Sequence, residues 1–139
     1  MIIVDTSAVF AALDRSQHQY DRVSSFLESS RERLVLSPFV LGELEYLLAR
    51  RVGDHAALEL LQDVESSAYL LAEIAREDIA ASRQVIERFD DLGIGLADAS
   101  IVVLAARYAT NQVLTLDERH FRALRTLDGQ PFRILPADA

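Results

Sequence analysis

No cysteine and no lysine occur among the 139 residues. The first absence removes disulfides, thiolate metal sites and cysteine nucleophiles together. The second means that all 14 basic residues are arginine. Chemistry that needs an amine is excluded, and P-loop nucleotide hydrolysis and Schiff-base catalysis fall on this point. Long apolar runs are missing too. The longest block, residues 101–106 with their small neighbours, is far short of the roughly 20 residues of a membrane span. The opening Met-Ile-Ile-Val-Asp has neither the basic region nor the apolar stretch of a signal peptide. A cytoplasmic protein with no membrane contact is the expectation. Basic charge is also outweighed by acid, for a net charge of −8, which argues against coating nucleic acid by bulk electrostatics.

What is present is an ordinary globular composition, 50% apolar and 26% charged, long enough for one domain over residues 1–139 that buries about two-thirds of its unfolded surface. Short apolar runs alternate with helical periodicity, which predicts an α/β fold around a mainly parallel sheet. Strands are expected at 2–4, 34–36, 69–71, 113–116 and, at an edge, 132–135. A helix follows Asp5. A second is capped by Ser16 and carries Tyr20, Val23 and Leu27 on one face. Ser37-Pro38 reads as N-cap and first helical residue of a helix to about Arg51. Gly53 closes it, and Asp54 opens the next, with Leu58, Leu61 and Val64 or Glu65 along one side. A helix at 76–89 is expected to bury Ile79, Ile86 and Phe89. The segment from Asp98 to Tyr108 is apolar almost all round and belongs in the middle of the protein.

Four carboxylates fit poorly into purely structural roles. In open parallel sheets ligands gather beyond the carboxyl ends of the strands. Asp5 follows strand one and Asp117 follows strand four. Asp98 starts an apolar helix, and Glu43 lies in the second turn of the helix after strand two. Each has a plainer reading, since Asp5 or Asp98 could cap a helix and Asp117 could be a turn residue. Yet Asp98 points along a buried face with no cation near it in sequence, and an unpaired buried carboxylate costs several kcal/mol. Glu45 competes with Glu43, and periodicity does not separate them. Four carboxylates at one end of a sheet repel each other and ask for a cation. Oxygen donors without thiolates favour Mg²⁺, with Mn²⁺ as a substitute, and so a phosphoryl-transfer site. Thr6, Ser7, Ser100 and Thr115 offer hydroxyls beside it, whereas His18, His55 and His120 lack metal spacing and read as surface or capping residues.

The segments Met1-Ile-Ile-Val-Asp-Thr-Ser-Ala, Ser37-Pro-Phe-Val-Leu-Gly-Glu-Leu, Gly93-Ile-Gly-Leu-Ala-Asp-Ala-Ser-Ile and Leu114-Thr-Leu-Asp-Glu-Arg-His-Phe resemble, in order and spacing, those of PIN-domain proteins, and specifically the VapC toxins of toxin–antitoxin pairs. The resemblance implies a three-layer α/β/α fold and metal-dependent ribonuclease activity. It implies Asp5 and Asp98 as principal metal ligands and selects Glu43 over Glu45. Asp117 fills the fourth acidic position, where direct metal contact is more variable. A VapB-type antitoxin and a homodimer are the implied partners, with RNA as substrate. Arg119, Arg122 and Arg125 are candidates for phosphate contacts. Two other classes that begin with a strand and an aspartate, haloacid-dehalogenase-type phosphatases and response-regulator receivers, both need a lysine. The rival that remains is a PIN-like binding module without catalysis, which metal-dependent cleavage of RNA distinguishes.

Overall fold

The computed structural model describes residues 1–139. Strand β1 (Ile2–Val4) leads through helices α1 (Thr6–Leu13) and α2 (Tyr20–Ser29) to β2 (Leu34–Leu36). Helices α3 (Pro38–Arg51) and α4 (Asp54–Glu65) precede the short β3 (Leu70–Leu71). Helix α5 (Arg76–Arg88), a 3-10 turn at Asp90–Leu92 and helix α6 (Leu96–Arg107) lead to β4 (Gln112–Leu114). Helix α7 (Glu118–Ala123) and β5 (Arg133–Leu135) complete the chain. All pairings are parallel, in the order β3-β2-β1-β4-β5. The chain moves outward from β1 to β3 and then crosses to β4, so a switch point falls between β1 and β4, where ligand crevices form. Right-handed crossovers place α1 to α4 on one face and α5 to α7 on the other, the expected three layers.

Central strands of a parallel sheet are covered on both faces, which is why Ile2, Ile3 and Val4 are all buried. The Ser37 hydroxyl accepts the Phe39 amide at 3.2 Å and Pro38 takes the first helical position, as expected for the start of α3. Every residue of α6 from Ala99 to Ala105 is buried, with the helix packed against β1, α3 and α5. It is delivered there by Gly93, whose left-handed φ of 65° turns the chain out of the 3-10 segment.

Several expectations need correction. Helix α2 begins after Gln19, while Ser16 bonds back to Asp14 through its amide and hydroxyl. Helix α4 buries Ala57 and Leu60 and leaves Leu58 58% and Leu61 37% exposed. Leucines at 58, 60 and 61 permit two faces at helical spacing, and the smaller Ala57 is on the face that approaches α3. In α5 the buried residues are Ser82 and Val85, Ile86 and Phe89 are half-buried, and Ile79 is exposed. Strand β4 ends at Leu114, so Thr115 and Leu116 separate it from Asp117. Helix α7 stands where only a loop was expected. Asp98 is not an N-cap: Gly95 is, and Asp98 is the third residue of α6.

Candidate active site

At the carboxyl end of β1 the Asp5 amide donates to the Leu114 carbonyl at 2.9 Å, extending the β1–β4 pairing to the switch point. The Asp5 side chain is enclosed, with the residue only 6% exposed. Its Oδ2 accepts from Thr115 Oγ1 at 2.7 Å and from Ser7 Oγ at 2.8 Å. Those hydroxyls in turn accept the amides of Asp117 and Leu116, each at 2.9 Å. Two backbone amides after β4 are thus linked through two hydroxyls to one carboxylate, fixing its orientation. Burial pushes the Asp5 carboxyl above the usual range; Thr115, Ser7 and the Thr6 amide pull it back, and the charge of Asp117 adds to the rise.

Asp98 enters from the first turn of α6, where the helix dipole favours a carboxylate. Its side chain is 21% exposed. Burial and the charge of Asp5 push its carboxyl up to about 6, the His120 imidazole opposes that rise, and Asp117 and Glu43 add to it. One aspartate therefore feels the other three acidic side chains singled out in the sequence. Glu43, on the exposed side of α3, accepts from Thr6 Oγ1 at 2.9 Å, which ties it to the residue after Asp5. Glu45 takes no hydrogen bond in this group. Asp117 caps α7, its Oδ1 accepting the His120 amide at 3.1 Å. The turn-residue reading of Asp117 is thus correct as far as it goes, and the same side chain also faces the other carboxylates.

His120 is the residue that sequence reasoning missed. Its Nδ1 lies 2.8 Å from Asp117 Oδ2 and 3.6 Å from Asp98 Oδ2. The signal was present in the spacing: residues 117 and 120 are one turn apart once 118–123 is a helix. Ser100 departs from expectation in the other direction. Its hydroxyl donates to the Ala97 carbonyl at 2.6 Å and meets Ser37 Oγ at 2.7 Å, joining α6 to α3 rather than serving a carboxylate. Of the three arginines proposed for phosphate, Arg122 is held by Glu118 and Asp138, and Arg125 by the carbonyls of Arg122 and Leu124. Arg119 is exposed with its guanidinium uncommitted.

The donor set fits a hard divalent cation: carboxylate oxygens from four elements face one another with no lysine or arginine among them, and their repulsion is written into the raised Asp98 carboxyl. As the side chains stand, no three His, Asp or Glu groups are drawn in closely enough to grip an ion. The tension recorded at Asp98 is what a cation entering between them relieves.

Comparison with known proteins agrees with this arrangement. The sequence pattern of the PIN domain matches residues 2–127. Ribonuclease VapC26 of Mycobacterium tuberculosis is 42% identical over 135 residues, covering 97% of this chain and all of that protein. Among solved structures, M. tuberculosis VapC20, described as a sarcin-ricin loop cleaving toxin, superposes with a TM-score of 0.79 at 21% identity, over 84% of this chain and 90% of that one. VapBC2 from Rickettsia felis, bound to a fragment of its promoter DNA, gives 0.67 at 17% identity over 96% and 98%. FitAcB from Neisseria gonorrhoeae gives 0.65 at 23% over 96% and 97%. At these identities the structural likenesses speak to the fold, and the sequence match carries the assignment: the chain belongs to the PIN-domain family.

Proposed function

We propose that this chain is a divalent-metal-dependent ribonuclease, a single PIN domain over residues 1–139 that hydrolyses phosphodiester bonds of RNA as the toxin of a VapBC-type toxin–antitoxin pair. The observation that carries the reading is the gathering of Asp5, Glu43, Asp98 and Asp117 at the β1–β4 switch point, with the Asp98 carboxyl pushed up to about 6 by burial and by its acidic neighbours. The name of the relative that is 42% identical, a VapC ribonuclease, supports the substrate class.

When bound, a divalent cation supplies the charge that acidifies water and neutralises developing negative charge on a phosphodiester. The remaining work belongs to the chain. Asp5 and Asp98 hold the ion, Mg²⁺ with Mn²⁺ as substitute. Thr115 and Ser7 fix the direction of the Asp5 carboxylate, so no rotamer has to be frozen when substrate arrives. Thr6 steadies Glu43, and the α7 N-terminus steadies Asp117; these two complete the acidic set. With a net charge of −8 the protein attracts RNA only locally, and exposed Arg119, two residues from Asp117, is placed to meet a phosphate. No helix is long and apolar enough to cross a membrane, consistent with action in the cytoplasm. The VapBC complex among the structural neighbours supports a cognate VapB-type antitoxin as partner, and a homodimer is the expected toxin assembly.

Chelation tests the reading. Purified protein in EDTA is expected to leave RNA intact, and Mg²⁺ or Mn²⁺ in excess of chelator is expected to restore cleavage. Ca²⁺ should bind yet support little turnover, because its coordination is looser and its bound water less acidic. Cleavage that persists in EDTA, or recovery with Zn²⁺ alone, contradicts an all-oxygen metal site as the origin of activity. RNA that stays intact under every metal condition favours the non-catalytic binding module instead.

A further inference from the structure

We propose that Nδ1 of His120 is itself a ligand of the divalent ion, adding one nitrogen donor to the carboxylate oxygens and tilting the site toward Mn²⁺ over Mg²⁺. The inference rests on the metal-dependent reading above and extends it to a residue outside the acidic quartet.

Nδ1 of His120 has no accessible surface and no well-aligned hydrogen bond, although Asp117 Oδ2 lies 2.8 Å away. The atom is close to a carboxylate without being bonded to it in the ordinary way. Asp98 Oδ2, arriving from a different helix, lies 3.6 Å from the same nitrogen. Asp117 has already committed Oδ1 to the His120 amide, which leaves Oδ2 as the oxygen that faces the ring. Three donors from two helices therefore surround one small space. Neighbouring donors on an octahedral ion with bonds of about 2.1 Å stand about 3 Å apart, and the two observed separations bracket that spacing. A proton on Nδ1 satisfies at most one of the two carboxylates, and here with poor alignment. A cation satisfies both along with the nitrogen.

The ring is held for this. Asp117 and His120 are one turn apart on α7, and Phe121 anchors that helix in the core, edge-on to Phe132 with ring centroids 5.8 Å apart. Ligation requires the tautomer with its proton on Nε2, which leaves the Nδ1 lone pair free. Imidazole is a good donor to Mn²⁺ and other transition ions, whereas Mg²⁺ strongly prefers oxygen. The competing arrangement is one in which His120 only orients Asp117 through an imidazole–carboxylate hydrogen bond. Such a positioning role lowers the affinity for both ions alike when it is lost.

Pulsed electron paramagnetic resonance of the full-length protein loaded with Mn²⁺ alone separates these arrangements. The expected wild-type spectrum carries nitrogen modulation from a directly coordinated imidazole, absent in His120→Gln. Competition titrations should show Mn²⁺ affinity falling by about tenfold or more in that variant, with Mg²⁺ affinity changing far less. Bound Mn²⁺ without nitrogen modulation in the wild type overturns the inference while leaving the proposed function standing. Modulation that persists in His120→Gln overturns it as well, and so do equal losses for Mg²⁺ and Mn²⁺. A wild type that binds neither ion overturns both the inference and the function. Should His120→Gln fail to fold, His120→Asn serves as the second variant, and the presence or absence of modulation in the wild type still decides.

Discussion

Asp5→Asn and Asp98→Asn are each expected to lower RNA cleavage by on the order of 10³-fold, the scale of losing one group that stabilises charge in a transition state. The amide keeps the shape of the carboxylate and removes only its charge. At position 5 the side chain is buried and accepts from two hydroxyls. Both hydroxyls can rotate to suit an amide, so the local structure survives and the loss is one of charge. Glu45→Gln is the control, because Glu45 lies two residues from Glu43 yet takes no part in the cluster, and its rate should be close to wild type. Initial rates on one RNA at saturating Mg²⁺ measure all three variants, with growth arrest on induced expression as a second readout. Undiminished cleavage by either aspartate variant removes that residue from the site.

The second large effect is on stability, with the opposite sign. The Asp98 carboxyl titrates near 6 in the folded protein, against an ordinary value of 3.8. The folded state therefore holds the proton more tightly than the unfolded chain, and between about pH 4 and 6 it binds more protons. Stability from this group is lost as pH rises through that window and stays lost above it. Two pKa units correspond to about 3 kcal/mol, and with the side chain 21% exposed an effect on the order of 1–3 kcal/mol is expected. Asp98→Asn should consequently melt higher than wild type in EDTA at pH 7.5, with the difference closing near pH 4. Asp5, raised in the same direction, remains in both proteins and cancels. Mg²⁺ should raise the wild-type melting temperature by linkage to binding and leave the variant nearly unmoved. Scanning calorimetry of both proteins, with EDTA and with Mg²⁺, reads all of this. Equal Mg²⁺ shifts would show that Asp98 does not hold the ion, and a variant less stable at every pH would mark Asp98 as a structural residue.

Much of this architecture was legible because its signals are local. Ile2-Ile3-Val4 and Leu34-Val35-Leu36 are buried strands with no competing pattern, and Ser37-Pro38 is a start signal that the structure uses as read. The parallel sheet followed from alternation, and with it the shared end of Asp5 and Asp117. What stayed hidden depends on tertiary choice. Helix α4 offered two leucine-bearing faces, and the approach of α3 selected the one with Ala57. The six residues of α7 are too few to show a period, so His120 could not be placed over Asp117. Ser100 and Arg122 looked like site residues by proximity in sequence, yet each found a nearer partner: Ser37 for one, Glu118 and Asp138 for the other. Choosing Glu43 over Glu45 took the family resemblance, because both fit α3. In the structure Glu43 is the one that meets Thr6.

The claim on which the account depends is that a divalent ion sits among the carboxylates at the β1–β4 switch point. Anomalous diffraction from a crystal soaked in Mn²⁺ measures it directly. The expected result is a peak about 2 Å from carboxylate oxygens of Asp5 and Asp98, with Glu43 and Asp117 around it, that disappears in Asp98→Asn. A well-soaked crystal with no peak there, or with manganese only on surface acids such as Glu118 and Asp138, would contradict the account.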